Sequence, residues 1–365
     1  MDDFFVCNEL KMNKLKIMQM YVKSKLGRLS PVHISFQVTN ACNLNCAYCY
    51  ANSGKPKENE LTTEEAFKLI DDIVELKPYV LVLDGGEPLL RKDLPKLIEY
   101  AFKKGLNTCV ATNGLLLNKE KAQKFKELGL GSFHFSLDGS NNKIHSIHRG
   151  DNFINVMMAI NFSVEIGIKT VVQTMVTHKN IDDLENIARL LKFKKIDLWR
   201  LQFVIPSGRG TELIKSENFS TKERLEIAKK VYDLSRKYEK DFKIHFHDSP
   251  IYRIYKHQHS NYKERKMLEM MGGCGVVDGT ILNVDSDGFV RPCPYFQLKL
   301  KDNVKDKKLK DIYYNNETLK TLRKKSIKRC KKCEYFKICS GGCKSEIYNR
   351  TGKLLEENIN CFLEA

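Results

Sequence analysis

Twelve cysteines in 365 residues, most of them at fixed short spacings, constrain this chain more than any other feature. Met1 to Leu10 carries Asp2, Asp3 and Glu9 where a secretory leader would place basic and then apolar residues. No run of about 18 apolar residues marks a spanning helix. The chain is therefore expected to be cytoplasmic, with no membrane partner, and a reducing compartment disfavours disulfides. Metal ligation is then the first reading of the thiols. Cys42, Cys46 and Cys49 form C-x3-C-x2-C. Cys274, Cys293, Cys330, Cys333, Cys339, Cys343 and Cys361 form C-x18-C, then C-x2-C-x5-C-x3-C, then a last cysteine after x17. On spacing alone the first group is an iron–sulfur site short of one thiolate, a zinc site missing a ligand, or three unrelated buried thiols.

Hydrophobic residues make up 42% and charged residues 29%, which suits a packed core. Residues 1–30 read as an N-terminal helical segment, helical from Leu10 to Leu26. Residues 31–210 alternate two periodicities. Strands are expected at Val32–Thr39, Val80–Asp84, Asn107–Thr112, Gly131–Leu137, Lys169–Val176 and Leu198–Ile205. Helices are expected at Thr62–Leu76, Leu94–Lys104, Lys119–Leu128, Phe153–Ile166 and Ile181–Leu191, the first opened by a capping signal at Thr62 and Glu65. This alternation predicts an α/β fold with a parallel sheet and right-handed crossovers. Polar and glycine motifs fall at the carboxyl ends of the strands, where such sheets place their chemistry. Residues 211–273 read as a bridging region, with a helix at Thr221–Tyr238 and a strand at Phe242–His247. Residues 274–365 read as loop-rich and cysteine-rich, owing their order as much to bound metal as to a core.

The three-cysteine pattern after the first strand resembles the radical S-adenosylmethionine (radical SAM) superfamily, over about residues 31–210. That resemblance implies a partial (βα)6 TIM-like barrel. It also implies a 4Fe–4S cluster on Cys42, Cys46 and Cys49 with one iron left to chelate SAM. Asp84-Gly85-Gly86-Glu87-Pro88 resembles the family's glycine-rich stretch, where two glycines admit backbone to the ligand and Glu87 can pair with an ammonium. Thr112-Asn113-Gly114 and Ser136-Leu137-Asp138-Gly139 lie where relatives contact ribose and methionine; each is also an ordinary turn signal. His145 and Arg149-Gly150 resemble an H-x3-RG element, with Arg149 near the SAM carboxylate. Arg209, in Ile205-Pro206-Ser207-Gly208-Arg209-Gly210, is expected on a SAM or substrate carboxylate. The implied activity is reductive cleavage of SAM to a 5′-deoxyadenosyl radical that abstracts a substrate hydrogen. No acid–base dyad is assigned.

The seven later cysteines, with Gly288 as G-x4-C before Cys293, resemble the SPASM domain; a zinc ribbon is the rival reading. The resemblance implies two auxiliary 4Fe–4S clusters, hence three in all. Cys330, Cys333, Cys339 and Cys361 would complete one. Cys274, Cys293 and Cys343 would hold the other, leaving an open iron or a non-cysteine ligand such as His245 or His247. Cys109 is expected in the core of the third strand. Cys7 is expected to be structural, with the missing ligand as its alternative role.

Auxiliary clusters suit a net two-electron oxidation. Two family branches fit: modification of a ribosomal peptide or protein, placed first, and trimming of tetrapyrrole propionates in the alternative heme or heme d1 pathway. About 30 residues precede the first strand, so an N-terminal peptide-recognition domain is expected to be absent and a separate protein could supply it. A low-potential donor such as ferredoxin or flavodoxin is implied. The net charge of +17 suits an acidic peptide or a polycarboxylate. A non-catalytic iron–sulfur or zinc protein that binds nucleic acid is the alternative of another class; no aromatic-interleaved basic motif supports it.

Overall fold

The computed structural model describes residues 30–364 except 248, 325, 326, 328 and 357–360. The Leu10–Leu26 helix and Cys7 lie outside the described residues. Nine strands form one sheet: β1 (His33–Thr39), β2 (Val80–Gly85), β3 (Thr108–Thr112), β4 (Ser132–Ser136), β5 (Lys169–Val176), β6 (Leu198–Phe203), β7 (Lys243–Phe246), β8 (Ile281–Val284) and β9 (Val290–Arg291). Their spatial order is β7-β6-β5-β4-β3-β2-β1-β8-β9. Every pairing is parallel except β8 with β9. The six expected strands are present to within about two residues at each end.

Helices run between them: α1 (Thr63–Leu76), α2 (Leu94–Lys103), α3 (Lys119–Glu127), α4 (Asn142–Arg149), α5 (Phe153–Glu165), α6 (Leu184–Lys194), α7 (Gly210–Leu213) and α8 (Thr221–Lys237). The α1 start follows its sequence. Thr62 and Glu65 close a capping box, and Ala66, Leu69, Ile70, Ile73 and Leu76 bury one face at helical spacing. Those side chains share one core with Ile34, Phe36, Val38, Leu81, Leu83, Val110, Phe133 and Phe135 of the sheet. Each fully buried aliphatic or aromatic side chain there contributes about 1.5–3 kcal/mol.

The borders expected at 210 and 274 do not divide the sheet. β7 from the bridging region extends it beyond β6. β8 from the cysteine-rich region pairs with β1, with His33 opposite Ile281 and Phe36 opposite Val284. The region read as loop-rich also carries more helix than expected. Its helices follow α9 (Pro250–Gln258) and α10 (Tyr262–Met271) as α11 (Leu309–Asn315), α12 (Glu317–Arg323), α13 (Phe336–Cys339) and α14 (Lys344–Thr351). These are short, and a short helix leaves little periodicity to read. Among the described residues no helix is long and apolar enough to cross a membrane.

A buried ion pair ties this region back to the core. Arg224 of α8 meets Glu346 of α14 at 3.0 Å, with both side chains under a tenth exposed. Replacing Glu346 by Ala strands that guanidinium, and a loss of about 3 kcal/mol in unfolding free energy is expected. Urea denaturation checks this; a change below about 0.5 kcal/mol would contradict it.

Candidate functional site

The loop after β1 is fastened before it reaches its cysteines. Glu60 accepts from the Thr39 hydroxyl at 2.8 Å and from the Lys57 N–H at 3.1 Å. The Cys42 N–H donates to Gly54 O at 2.8 Å. From the turn after β6, Arg209 donates Nε to Cys46 O at 2.8 Å and Nη1 to Ser53 O at 2.9 Å. Gly208 of that turn has φ 54°, and a Cβ there would sit 2.3 Å from Cys49 O. Arg209, expected on a ligand carboxylate, therefore has its Nε and Nη1 committed to bracing the cysteine loop, while its guanidinium still lines the cavity.

Cys42, Cys46 and Cys49 face a cavity of about 210 Å³. Burial pushes the Cys42 thiol up to about 11 and raises that of Cys46, so the lone thiols would stay protonated without a cation or metal. Gly85 and Gly86 line the same cavity. A Cβ on Gly86 would lie 2.2 Å from Ala41 O, so glycine lets the end of β2 press against the cysteine loop.

Glu87 departs from its expected role. Its side chain is fully buried, accepting from Thr112 Oγ1 at 2.7 Å, the Asn113 N–H at 2.8 Å and the Leu89 N–H at 3.0 Å. Those bonds lock the β2 turn to the β3 turn and turn the carboxylate from the cavity. Pro88 is buried beside it. Thr112, Asn113 and Ser136 line the cavity, and Asn113 Nδ2 reaches Asn43 Oδ1 at 2.7 Å.

Asp138 acts behind the wall. It accepts from Arg149 Nε at 2.7 Å, from the Met175 N–H at 2.8 Å and from the Tyr48 hydroxyl. His145 Nδ1 accepts the Asp138 N–H at 3.1 Å, which leaves Nε2–H to donate to Asn152 Oδ1; burial depresses its pKa, so it is a neutral structural imidazole. Arg149 lies over the Tyr48 ring, 4.0 Å from Cys46 Sγ. Burial opposes its charge, and Asp138, Tyr48 and Cys46 outweigh that and hold it protonated.

Sequence reasoning named Ser136, Asp84 and His247 but missed most of the lumen. Alternate residues of five strands face it, His33 and Ser35, Val82 and Asp84, His134 and Ser136, Gln173 and Met175, and Arg200 and Gln202; His247, just after β7, and Ile281, which begins β8, join them. The signal was available. A parallel strand covered on both faces reads as continuously apolar, and polar residues at i and i+2 break that rule. His247 lines this cavity, as do Pro294 and Tyr295, which follow Cys293 in the chain; His245 lies two residues before His247, on β7. Cys109 is fully buried in β3, as expected.

Asp84 accepts from Ser35 Oγ at 2.5 Å and Tyr50 OH at 3.2 Å through Oδ2, while its buried Oδ1 has no hydrogen-bond partner. Burial pushes its pKa from 3.8 up to about 6. The folded state then holds a proton that the unfolded chain releases, so stability falls as pH rises between those values and levels off above about 6. Asp84→Asn keeps one accepting oxygen and removes the charge. It is expected to stabilise the protein by roughly 2–3 kcal/mol at pH 7 and to flatten this slope. Denaturation at several pH values from about 3.5 to 7 checks it, and an unchanged slope between about 4 and 6 would contradict it.

The later cysteines gather in two neighbourhoods. Cys330 feels the thiols of Cys339, Cys333 and Cys361. Cys274 and Cys293 share an apolar cluster with Val276, Val277, Phe296 and Leu322. Cys343 precedes α14, and the next residue, Lys344, is buried within reach of Cys274, Cys330, Cys339 and Cys343. Burial lowers the Lys344 pKa and those four thiols raise it. Arg253 sits beside Cys339 with its buried Nε lacking a hydrogen-bond partner. Thiols arranged around such cations fit anionic iron–sulfur clusters.

Comparison with known proteins agrees with this geometry. A family model described as the radical SAM superfamily matches residues 36–191. One described as an iron–sulfur cluster-binding domain, SPASM, matches residues 274–334, so Cys339, Cys343 and Cys361 lie beyond its end. The chain is similar to the AdoMet-dependent heme synthase of Methanosarcina barkeri, 30% identical over 91% of this chain and 96% of that one. It is 26% identical to the mycofactocin maturase MftC of Mycolicibacterium smegmatis over 87% of this chain and 79% of that one. In fold it resembles Streptococcus suis SuiB bound to the precursor peptide SuiA, with TM-score 0.77 and 18% identity over 93% of this chain and 78% of that one. It also resembles anSMEcpe with bound AdoMet and a peptide, with TM-score 0.70 and 21% identity over 91% of this chain and 94% of that one.

Proposed function

This chain belongs to the radical SAM superfamily and carries a SPASM extension, and from that premise we propose that it oxidatively decarboxylates a carboxylate side chain of a tetrapyrrole. SAM, a 4Fe–4S cluster and further iron–sulfur clusters go with those domains. When bound, they supply hydrogen-atom abstraction at unactivated carbon and a place for the electron the substrate loses. Cys42, Cys46 and Cys49 would hold the SAM-side cluster. Cys274, Cys293 and Cys343 would hold one auxiliary cluster and Cys330, Cys333, Cys339 and Cys361 the other, three in all.

One observation carries the choice of substrate. Among the described residues lining the cavity are three guanidiniums, Arg149, Arg200 and Arg209, and three imidazoles, His33, His134 and His247, against the single carboxylate of Asp84. Such a lining suits an anionic ligand in a partly desolvated site. Arg149, oriented by Asp138 and Tyr48, would meet the carboxylate of SAM. Arg200 and the imidazoles, which line the same cavity, would orient a substrate carboxylate. Gly85 and Gly86 would bring backbone to the ligand, and Tyr50 and Tyr295, with rings 5.0 Å apart, add aromatic wall that would exclude water. In balance, the substrate loses one hydrogen atom, one electron and CO2, and gains a carbon–carbon double bond. A low-potential donor such as ferredoxin or flavodoxin would supply the reducing electron.

The second reading, modification of a ribosomal peptide, rests on the identity to MftC across most of the chain. A separate peptide-recognition protein would be its partner. The two readings part in one experiment. The anaerobically reconstituted chain is given SAM and dithionite with either an iron-bound propionate porphyrin or a candidate precursor peptide. Loss of carboxyl groups from the porphyrin is expected; loss of two hydrogens from the peptide alone would overturn the first reading.

A further inference from the structure

Lys344 is only 2% exposed and directly follows Cys343. Its Nζ donates to Gly341 O at 3.0 Å, and no carboxylate pairs with it among the described residues. A buried ammonium without an anion is strongly unfavourable, so its retention calls for a compensating negative charge. Cys343 precedes it in the chain and Cys330 Sγ lies across Gly341 from its Nζ, so one cysteine of each auxiliary group is at hand, and clusters held by those groups would supply that charge. The chain is tight there. A Cβ on Gly341 would lie 3.2 Å from Lys344 Nζ and 3.5 Å from Cys330 Sγ. Ser340, Gly341 and Gly342 all have left-handed φ, of 54°, 73° and 89°, a run that brings the N–H groups of Gly341 and Gly342 onto Cys339. Successive backbone N–H groups in such a run form an anion-binding concavity.

We infer that Lys344 is a positioning residue whose buried positive charge, set between the two auxiliary cysteine groups, makes the clusters they hold easier to reduce. The inference rests on reading those cysteines as cluster ligands. Reduction adds one negative charge to a cluster, and a cation in a weakly screened interior stabilises the reduced form. Lys344 thereby readies both auxiliary sites to accept the single electron given up by the substrate. The SAM-side site is not expected to feel it, because Lys344 does not line that cavity.

The test is a redox titration followed by electron paramagnetic resonance on the full-length, anaerobically reconstituted protein, with iron counted first. Lys344→Met and Lys344→Gln remove the charge, and Lys344→Arg keeps it. In the neutral variants the reduced-to-oxidised ratio of the auxiliary signals at fixed poise is expected to fall about tenfold, ~59 mV for a one-electron couple. The Arg variant is expected to restore it, with the SAM-side signal unmoved throughout. A neutral variant with full iron and unshifted auxiliary potentials overturns the inference. If the neutral variants fail to load auxiliary iron while Arg loads it, the charge requirement stands. If Arg also fails, the position is one of packing and the inference falls. Wild-type protein that holds only the iron of the SAM-side site would instead defeat the reading of the cysteines, and the iron count shows this before any potential is measured.

Discussion

Replacing Cys46 by Ala is expected to reduce SAM cleavage to the uncatalysed background. Cys46 is half-buried in a loop held from two sides. Arg209 fastens its carbonyl, Arg149 lies 4.0 Å from its sulfur, and the cavity begins at its side chain. Two remaining thiolates cannot hold a four-iron cube that already lacks one protein ligand. The purified variant should therefore lose one cluster of iron and release no 5′-deoxyadenosine under dithionite. A variant that still turns SAM over would remove the basis for placing the reaction at this loop.

Replacing Cys333 by Ala is expected to separate the two halves of the reaction. Cys333 does not line the SAM cavity; its N–H caps a short turn on Cys330 O at 3.2 Å, and its sulfur is one of those that Cys330 feels. Its loss should leave SAM cleavage measurable while product formation drops to the detection limit, because the substrate can no longer give up its electron. The ratio of 5′-deoxyadenosine to product, near unity in the wild type, should rise by more than about tenfold. Unchanged coupling would mean that this cysteine group has no part in the oxidation.

Local chemistry explains what was legible in the sequence. The Thr62–Glu65 capping box and the strand Lys169–Val176 depend on neighbours a few residues apart, and both reappear in the structure with the same bounds. Roles decided by distant partners were harder to read. Glu87 looked free to meet an ammonium because nothing nearby in sequence reveals Thr112 and Asn113 closing on it from the next strand. Arg209 looked like a ligand contact because Cys46 lies 163 residues away. Asp138 belongs to the same class, since its partners come from three separate segments. Most of the lumen, including His33, His134, Arg200 and Gln202, was missed for another reason. A scan for motifs reads contiguous residues, whereas a barrel interior takes one side chain in two from every strand.

The pairing of His33–Phe36 with Ile281–Val284 has a consequence for biosynthesis. Until residue 284 has left the ribosome, the first strand waits with one row of amide and carbonyl groups unmatched. A neighbouring nascent chain could dock there. Severing the gene at codon 273 would make that wait permanent, so a shortened product is expected to collect as insoluble material. The cysteine-rich region is thus also what covers the open side of the first strand.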